Sequence, residues 1–175
     1  MKKILAGALL LFFAINVSGQ KQAKEKVAWK TYTDAKEKVS VSYPATWEQK
    51  KVENALFFFM APYDHAGQKY RENIHMIVAP AYDLYLVEYL ADARKKLGEN
   101  VPGFKELQSQ YIKIDGLDCC RMIYEFKMKD LVLRDAYYLV LKDGKAYTLT
   151  CSALEGTFNK FFPVFEKIAA SFKIK

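Results

Sequence analysis

Histidine is almost missing from this chain. Only His65 and His75 occur among its 175 residues, too few for a histidine-rich metal centre. There is no HExxH, no CxxC, no glycine-rich phosphate loop and no GxSxG, so none of the short motifs that carry zinc, thiol-redox, nucleotide or elbow-serine chemistry is spelled out. Cysteine is also scarce. The three that occur, Cys119, Cys120 and Cys151, are an odd number in a chain this large, so bridges are not the scaffold. Cys120 and Cys151 fall on the outer strands of an expected three-strand meander, with Cα atoms at least about 9 Å apart, beyond the ~7 Å limit for bridging. Both read as small core hydrophobes, with Cys119 pointing to the other face.

Long apolar runs are lacking as well. The one from Ile4 to Ile15 falls short of the ~20 residues a spanning helix needs. It follows Lys2 and Lys3 and precedes Val17, Ser18 and Gly19, the layout of a removable signal peptide. Residues 1–20 are therefore expected to be a leader and residues 21–175 a single exported domain, periplasmic or secreted. No cysteine stands near the expected cut, which argues against a lipid anchor there. The formal charge of +7 drops by two to +5 once Lys2 and Lys3 leave. The remaining basic residues alternate with acidic ones, as in KTYTDAKEK, the look of a solvated face and not of a phosphate-binding stripe. Nucleic acid is not an expected partner; weak, salt-sensitive contact with an anionic membrane surface stays open.

What the chain has in quantity is strand. In YYLVLKDGKAYTLTCSA, Tyr137 to Ala153, two apolar runs flank Asp143 and Gly144, a strong hairpin signal. A two-residue loop would pair Leu141 with Ala146 and put Tyr147, Leu149 and Cys151 on the face opposite Tyr137, Leu139 and Leu141. A three-residue bulged loop gathers both apolar sets on one face, so the bulged loop is expected. Upstream, Leu117 to Met128 and Leu131 to Lys142 complete a meander. Further strands are expected at Trp29–Thr33, Val39–Tyr43, LFFFM up to Met60, Asn73–Ala79 and Phe104–Ile114. LFFFM reads as a strand buried on both faces. Trp47 reads as a plug at the core edge, and His75 as a hydrogen-bonded strand histidine.

Two segments have helical period. Leu86, Leu90, Ala93 and Leu97 recur at helix spacing after Asp83, an expected N-cap, with Arg94 to Lys96 in the last turn and Gly98 as the close. Phe158, Phe161, Phe162, Phe165, Ile168, Ala169 and Phe172 form a second stripe, within which Pro163 is expected to mark the start of the main helix. Two helices on an antiparallel sheet make an α+β domain with both sheet faces partly covered.

The run VSVSYPATW resembles the opening of PsbP-like domains, and AYTLTCSA with FPVFEKIAASFKI is similar to that family's last strand and terminal helix. The resemblance covers roughly Ala28 to Ile174. It implies an α/β/α sandwich of the class that includes an extrinsic photosystem subunit and bacterial envelope proteins such as DcrB. It also implies a non-catalytic accessory or binding role, without cofactor, and carries over no functional residue.

The residues themselves offer one polar cluster, the loop with Tyr63, Asp64, His65, Tyr70 and Arg71, which is the candidate binding loop. Three functions follow. The first is an accessory protein acting through a surface patch on a protein partner in the cell envelope, which predicts an exposed apolar patch near this loop. The second is a carrier of a small apolar or lipid-like ligand, which requires an enclosed pocket lined by the aromatic residues. The third is a hydrolase using Asp64 and His65. No catalytic, cofactor-binding or metal residue is assigned.

Overall fold

Alternation is strongest between residues 105 and 154, and that stretch builds the centre of the fold. The computed structural model describes residues 27–82 and 84–175, so the expected leader at residues 1–20 and the expected N-cap Asp83 lie outside the described residues. The elements run β1 (Trp29–Asp34), β2 (Val39–Pro44), β3 (Glu48–Lys50), β4 (Phe57–Met60), β5 (Asn73–Pro80), α1 (Leu86–Asn100), β6 (Lys105–Ile114), β7 (Leu117–Met128), β8 (Leu131–Lys142), β9 (Lys145–Leu154), α2 (Glu155–Ser171) and β10 (Lys173–Ile174). A seven-stranded antiparallel sheet has the order β3-β4-β5-β9-β8-β7-β6, and a small sheet has the order β1-β2-β10.

The hairpin loop is the first correction. Leu141 pairs with Ala146 and Lys142 with Lys145, leaving Asp143 and Gly144 as a two-residue turn with φ of 51° and 70°. Both positive values belong to a type I′ turn, whose twist suits a hairpin. The bulge was expected because one dry face was assumed, whereas β8 is buried on both sides from Asp135 to Val140. Tyr138, Val140, Tyr147, Leu149 and Cys151 face α2 and the small sheet, while Tyr137, Leu139 and Ala146 face α1. With both faces covered, the apolar sets have no reason to share one.

On the α2 side, Phe158, Phe165, Ile168 and Ala169 pack with Phe57, Phe59, Ile74, Met76, Val39 and Val41 in one buried cluster. Full burial of each large side chain contributes about 1.5–3 kcal/mol. Trp47 is buried edge-on to Phe165 as the expected plug. The helix runs unbroken from Glu155, with Pro163 inside it, and does not restart at Pro163. Both Pro163 and Asn159, whose carbonyl loses its hydrogen bond, are exposed, so water serves that carbonyl.

On the other face α1 seats Leu90 against Cys120, Met122, Tyr124, Tyr137 and Leu139. Its N-cap is Tyr85, whose N–H donates to the Glu88 carboxylate at 2.8 Å. The helix passes Gly98 and ends at Asn100, so Arg94 to Lys96 lie before its last turn. Arg94 instead clamps Glu106 of β6 at 2.7 and 2.9 Å and ties the helix to the sheet edge. The three cysteines are free and buried, with Cys119 and Cys120 on opposite faces. Cys151 shares its face with Cys119.

Candidate functional site

Strand β9 carries a polar track on one side. Thr148, Thr150 and Ser152 alternate with Tyr147, Leu149 and Cys151, and the register sets Thr150 between His75 of β5 and Tyr137 of β8, and Ser152 between Asn73 and Asp135. This track lies on the α1 face of the sheet. A cleft of about 440 Å³ opens there, walled by Tyr89, Ala93 and Leu97 of α1 and floored by His75, Thr150, Asp135, Tyr124 and Tyr137.

Asp135 is the unusual group. It is only 5 % exposed, on a strand that is otherwise largely apolar. Its Oδ2 accepts from Tyr124 Oη at 2.9 Å, while its buried Oδ1 makes no hydrogen bond of ordinary geometry; the Ser152 hydroxyl, paired opposite in the register, is the other donor beside the carboxylate. Burial pushes the carboxyl up to about 6, an effect that neighbouring Ser152 and Tyr124 only partly offset. Burial likewise pushes Tyr137 up to about 12. His75 departs from the expected hydrogen-bonded histidine: its Nδ1 is buried without a partner, its ring stacks on Phe58 at 5.8 Å, and burial lowers its pKa. A buried carboxylate with an unused lone pair is costly to keep, and such groups concentrate at functional sites.

The loop between β4 and β5 is pinned beside this cleft. Asn73 Nδ2 donates to Tyr70 Oη at 2.8 Å, and Tyr70 Oη donates to Ser152 Oγ at 2.7 Å. Beneath it Glu72, 1 % exposed, accepts from Thr157 Oγ1 at 2.6 Å and Gln68 Nε2 at 3.1 Å. Arg71 donates to the Ala61 carbonyl at 2.6 Å and Glu48 at 3.1 Å, and its guanidinium lies 4.8 Å from the centre of the Tyr63 ring. Tyr63, Tyr70 and Arg71 thus come together along a second, smaller cleft of about 380 Å³. Asp64 and His65 do not join them. Asp64 is ion-paired with Lys160 of α2, and His65 Nδ1 lies 3.0 Å from the Ala66 carbonyl. No carboxylate–imidazole couple forms, so the hydrolase arrangement lacks its base.

Asp135, Tyr124 and Thr150 were not among the candidate site residues the sequence suggested. The signal was a carboxylate inside LVLRDAYYLVLK opposite a run of hydroxyl residues in TLTCS, legible only once the strands are paired. Among the described residues, no group of three or more His, Cys, Asp or Glu could hold a metal ion, and no helix is long and apolar enough to cross a membrane.

A family model described as PsbP-like protein matches residues 14–174. Among solved structures, the chain is similar to cyanobacterial PsbP (CyanoP) from Synechocystis sp. PCC 6803, with TM-score 0.65 and 17% identity over 90% of this chain and 99% of that one. It is also similar to LpqN of Mycobacterium tuberculosis, with TM-score 0.66 and 14% identity over 85% and 91% of the two chains. PA94 from Pseudomonas aeruginosa, a protein of unknown function, has TM-score 0.63 and 13% identity over 84% and 97%. At these identities the likeness is one of fold. No curated protein matches the chain.

Proposed function

Because the chain belongs to the PsbP-like family, we propose that it is an exported, non-catalytic accessory protein of the cell envelope that docks a partner protein on an exposed apolar patch leading into α1. One observation carries this reading. Tyr82, Leu84, Tyr85 and Val87 are 71%, 46%, 74% and 60% exposed within six residues of chain, where a soluble surface ordinarily scatters such residues singly. Tyrosine is also among the residues that dominate binding energy in interfaces. The layout of residues 1–20 as a leader supports export, and LpqN is described as involved in cell envelope biogenesis.

The patch is not near the polar loop, contrary to expectation. The loop enters β5 at Asn73 and the patch follows its far end at Pro80, about 25 Å away at the rise of an extended strand. Tyr70 and Arg71, with Tyr63 against the Arg71 guanidinium, are therefore assigned to a brace at the other end of the sheet, and Asp64 and His65 of the same loop lie at that end as well, away from the docking patch. The carrier reading loses its ground in the core. The Phe57 and Phe59 rings pack at 5.4 Å from each other and within 5.9 Å of Tyr32, so these two fill space and do not line it; Phe58 and Met60, on the other side of the strand, are only half-buried, so LFFFM is not dry on both faces as expected.

The test is site-specific photocrosslinking in envelope preparations, with the photoreactive residue at Val87 or, as control, at Lys129 in the β7–β8 turn. A discrete adduct at Val87 that is absent at Lys129, and lost in Tyr82→Ser/Tyr85→Ser, is expected. Equal yields at the two positions would dismiss the docking patch.

A further inference from the structure

The cleft beneath α1 is independent of the docking patch, and its chemistry is specific enough to name what fits it. We propose that it binds a small organic amine, the ammonium group received by Asp135 and the apolar body lying along Tyr89, Tyr124 and Tyr137. Four observations lead there. Asp135 lines the cleft, and its Oδ1, buried just beneath the surface, makes no hydrogen bond of ordinary geometry; an ionised carboxylate oxygen only accepts, so its complement is a donor, best a charged one. Three tyrosine rings line the same space, and their faces attract a cation. Lys96, the cation at the rim, is already paired with Asp92 at 2.7 Å. The volume of about 440 Å³ is that of small-molecule sites, roughly 300–1,000 Å³.

The second unpartnered group sets the far end. His75 and Asp135 stand two strands and two residues apart in the sheet register, roughly 12 Å between Cα atoms from strand spacing and rise. A ligand with a polar group at each end of an apolar body reaches both. A metal ion alone is a poor occupant, since no three ligating groups converge among the described residues.

Tyramine has this shape, phenethylamine lacks the distal hydroxyl and 4-ethylphenol lacks the amine, so the three form the probe set for calorimetric or NMR titration of the mature protein. Tyramine is expected to bind at least about tenfold tighter than 4-ethylphenol. Asp135→Asn should abolish the difference, and His75→Phe should reduce tyramine to the level of phenethylamine. Tyramine binding should weaken between pH 7.5 and pH 5 as Asp135 takes up its proton. The other groups facing the carboxylate are Tyr124, Tyr137, Tyr89, Tyr70, Lys96 and His75. Burial raises the pKa values of the four phenols and the Asp92 pair raises that of Lys96, so these five do not titrate there. His75 does titrate downward of neutrality, so the pH effect must persist in His75→Phe. Should Asp135→Asn fail to fold, Ala93→Phe fills the cleft from the helix side with the carboxylate intact and is expected to eliminate tyramine binding. Equal affinity for 4-ethylphenol and tyramine, no tyramine binding up to about 10 mM, unchanged binding in Ala93→Phe, or the same response to Zn²⁺ alone would each overturn the assignment.

Discussion

The Tyr82 ring lies over Gly144, its Cδ1 2.9 Å from where a Cβ on that glycine would sit. The contact joins the start of the docking patch to the tip of the β8–β9 hairpin, and the Ala81 N–H reinforces it by donating to the Gly144 carbonyl at 2.8 Å. Gly144→Ala meets two obstacles, the ring and a φ of 70°. Tyr82 is 71% exposed and free to swing, so the backbone dominates: a side chain in the left-handed region costs about 1–2 kcal/mol. Urea unfolding is expected to show a loss of that size, with Tyr82→Ala in the same chain recovering only a small part. A loss below about 0.5 kcal/mol would contradict the type I′ turn.

Asp135 makes stability depend on pH with an uncommon sign. Its carboxyl is raised in the folded protein from 3.8 to about 6, so the folded state holds the proton more tightly than the unfolded chain. Stability should therefore fall as pH rises from about 4 to 6 and stay lower above it, by about 2–3 kcal/mol. Glu48, held below the usual carboxylate range by Lys50 and Arg71, acts in the opposite direction but is a solvent-exposed group. Asp135→Asn keeps an acceptor for Tyr124 and removes the charge. It is expected to flatten the curve between pH 4 and 6 and to raise the urea midpoint at pH 7.5. A wild-type midpoint that climbs steadily through this window, unchanged in Asp135→Asn, would count against the buried carboxylate.

Legibility differed between the fold and the site for a physical reason. β7 and β8 stand where alternation placed them, at Leu117–Met128 and Leu131–Lys142, because long strands between tight turns leave little freedom of register. β3, only Glu48–Lys50, and β10, only Lys173–Ile174, are too short to show any period. The turn at Asp143 was misjudged because the sequence of a strand dry on both faces says nothing about which neighbour covers which face. The cleft is harder still. Asp135, Thr150 and His75 come from three strands, and only cross-strand register brings them into one row; the loop residues were noticed because they adjoin in sequence, and most turn out to be braces.

The cysteines give a direct check on the core. Cys119, Cys120 and Cys151 are each 0% exposed and unbridged, and burial pushes the Cys119 thiol up to about 12 and that of Cys151 up as well. A maleimide reagent should add nothing to the native protein within an hour and three adducts in concentrated urea, without prior reduction. A reductant should leave the unfolding midpoint where it was. One adduct before reduction and three after it would reveal a bridge and displace the present packing of β7 against β8 and β9.

Pro163 offers a test whose sign alone decides. Inside α2 it withholds a hydrogen bond from the Asn159 carbonyl and crowds the preceding turn, defects worth about 3 kcal/mol in a helix interior. Exposure of both residues softens that cost by letting water reach the carbonyl, and alanine would also return about 0.4–1 kcal/mol of freedom to the unfolded chain. Pro163→Ala is therefore expected to stabilise the protein by about 1–2 kcal/mol in urea unfolding, the remainder of these opposed effects. At a first helical position the proline would instead be favourable, since its missing N–H is unneeded there and its φ is already set, and alanine would lower the midpoint. A lower midpoint would thus mean that residues 155–162 are not helical. Phe158 and Phe161 would then lose their place one turn ahead of Phe162 and Phe165, and the stripe that seats α2 on the sheet would shrink to its second half.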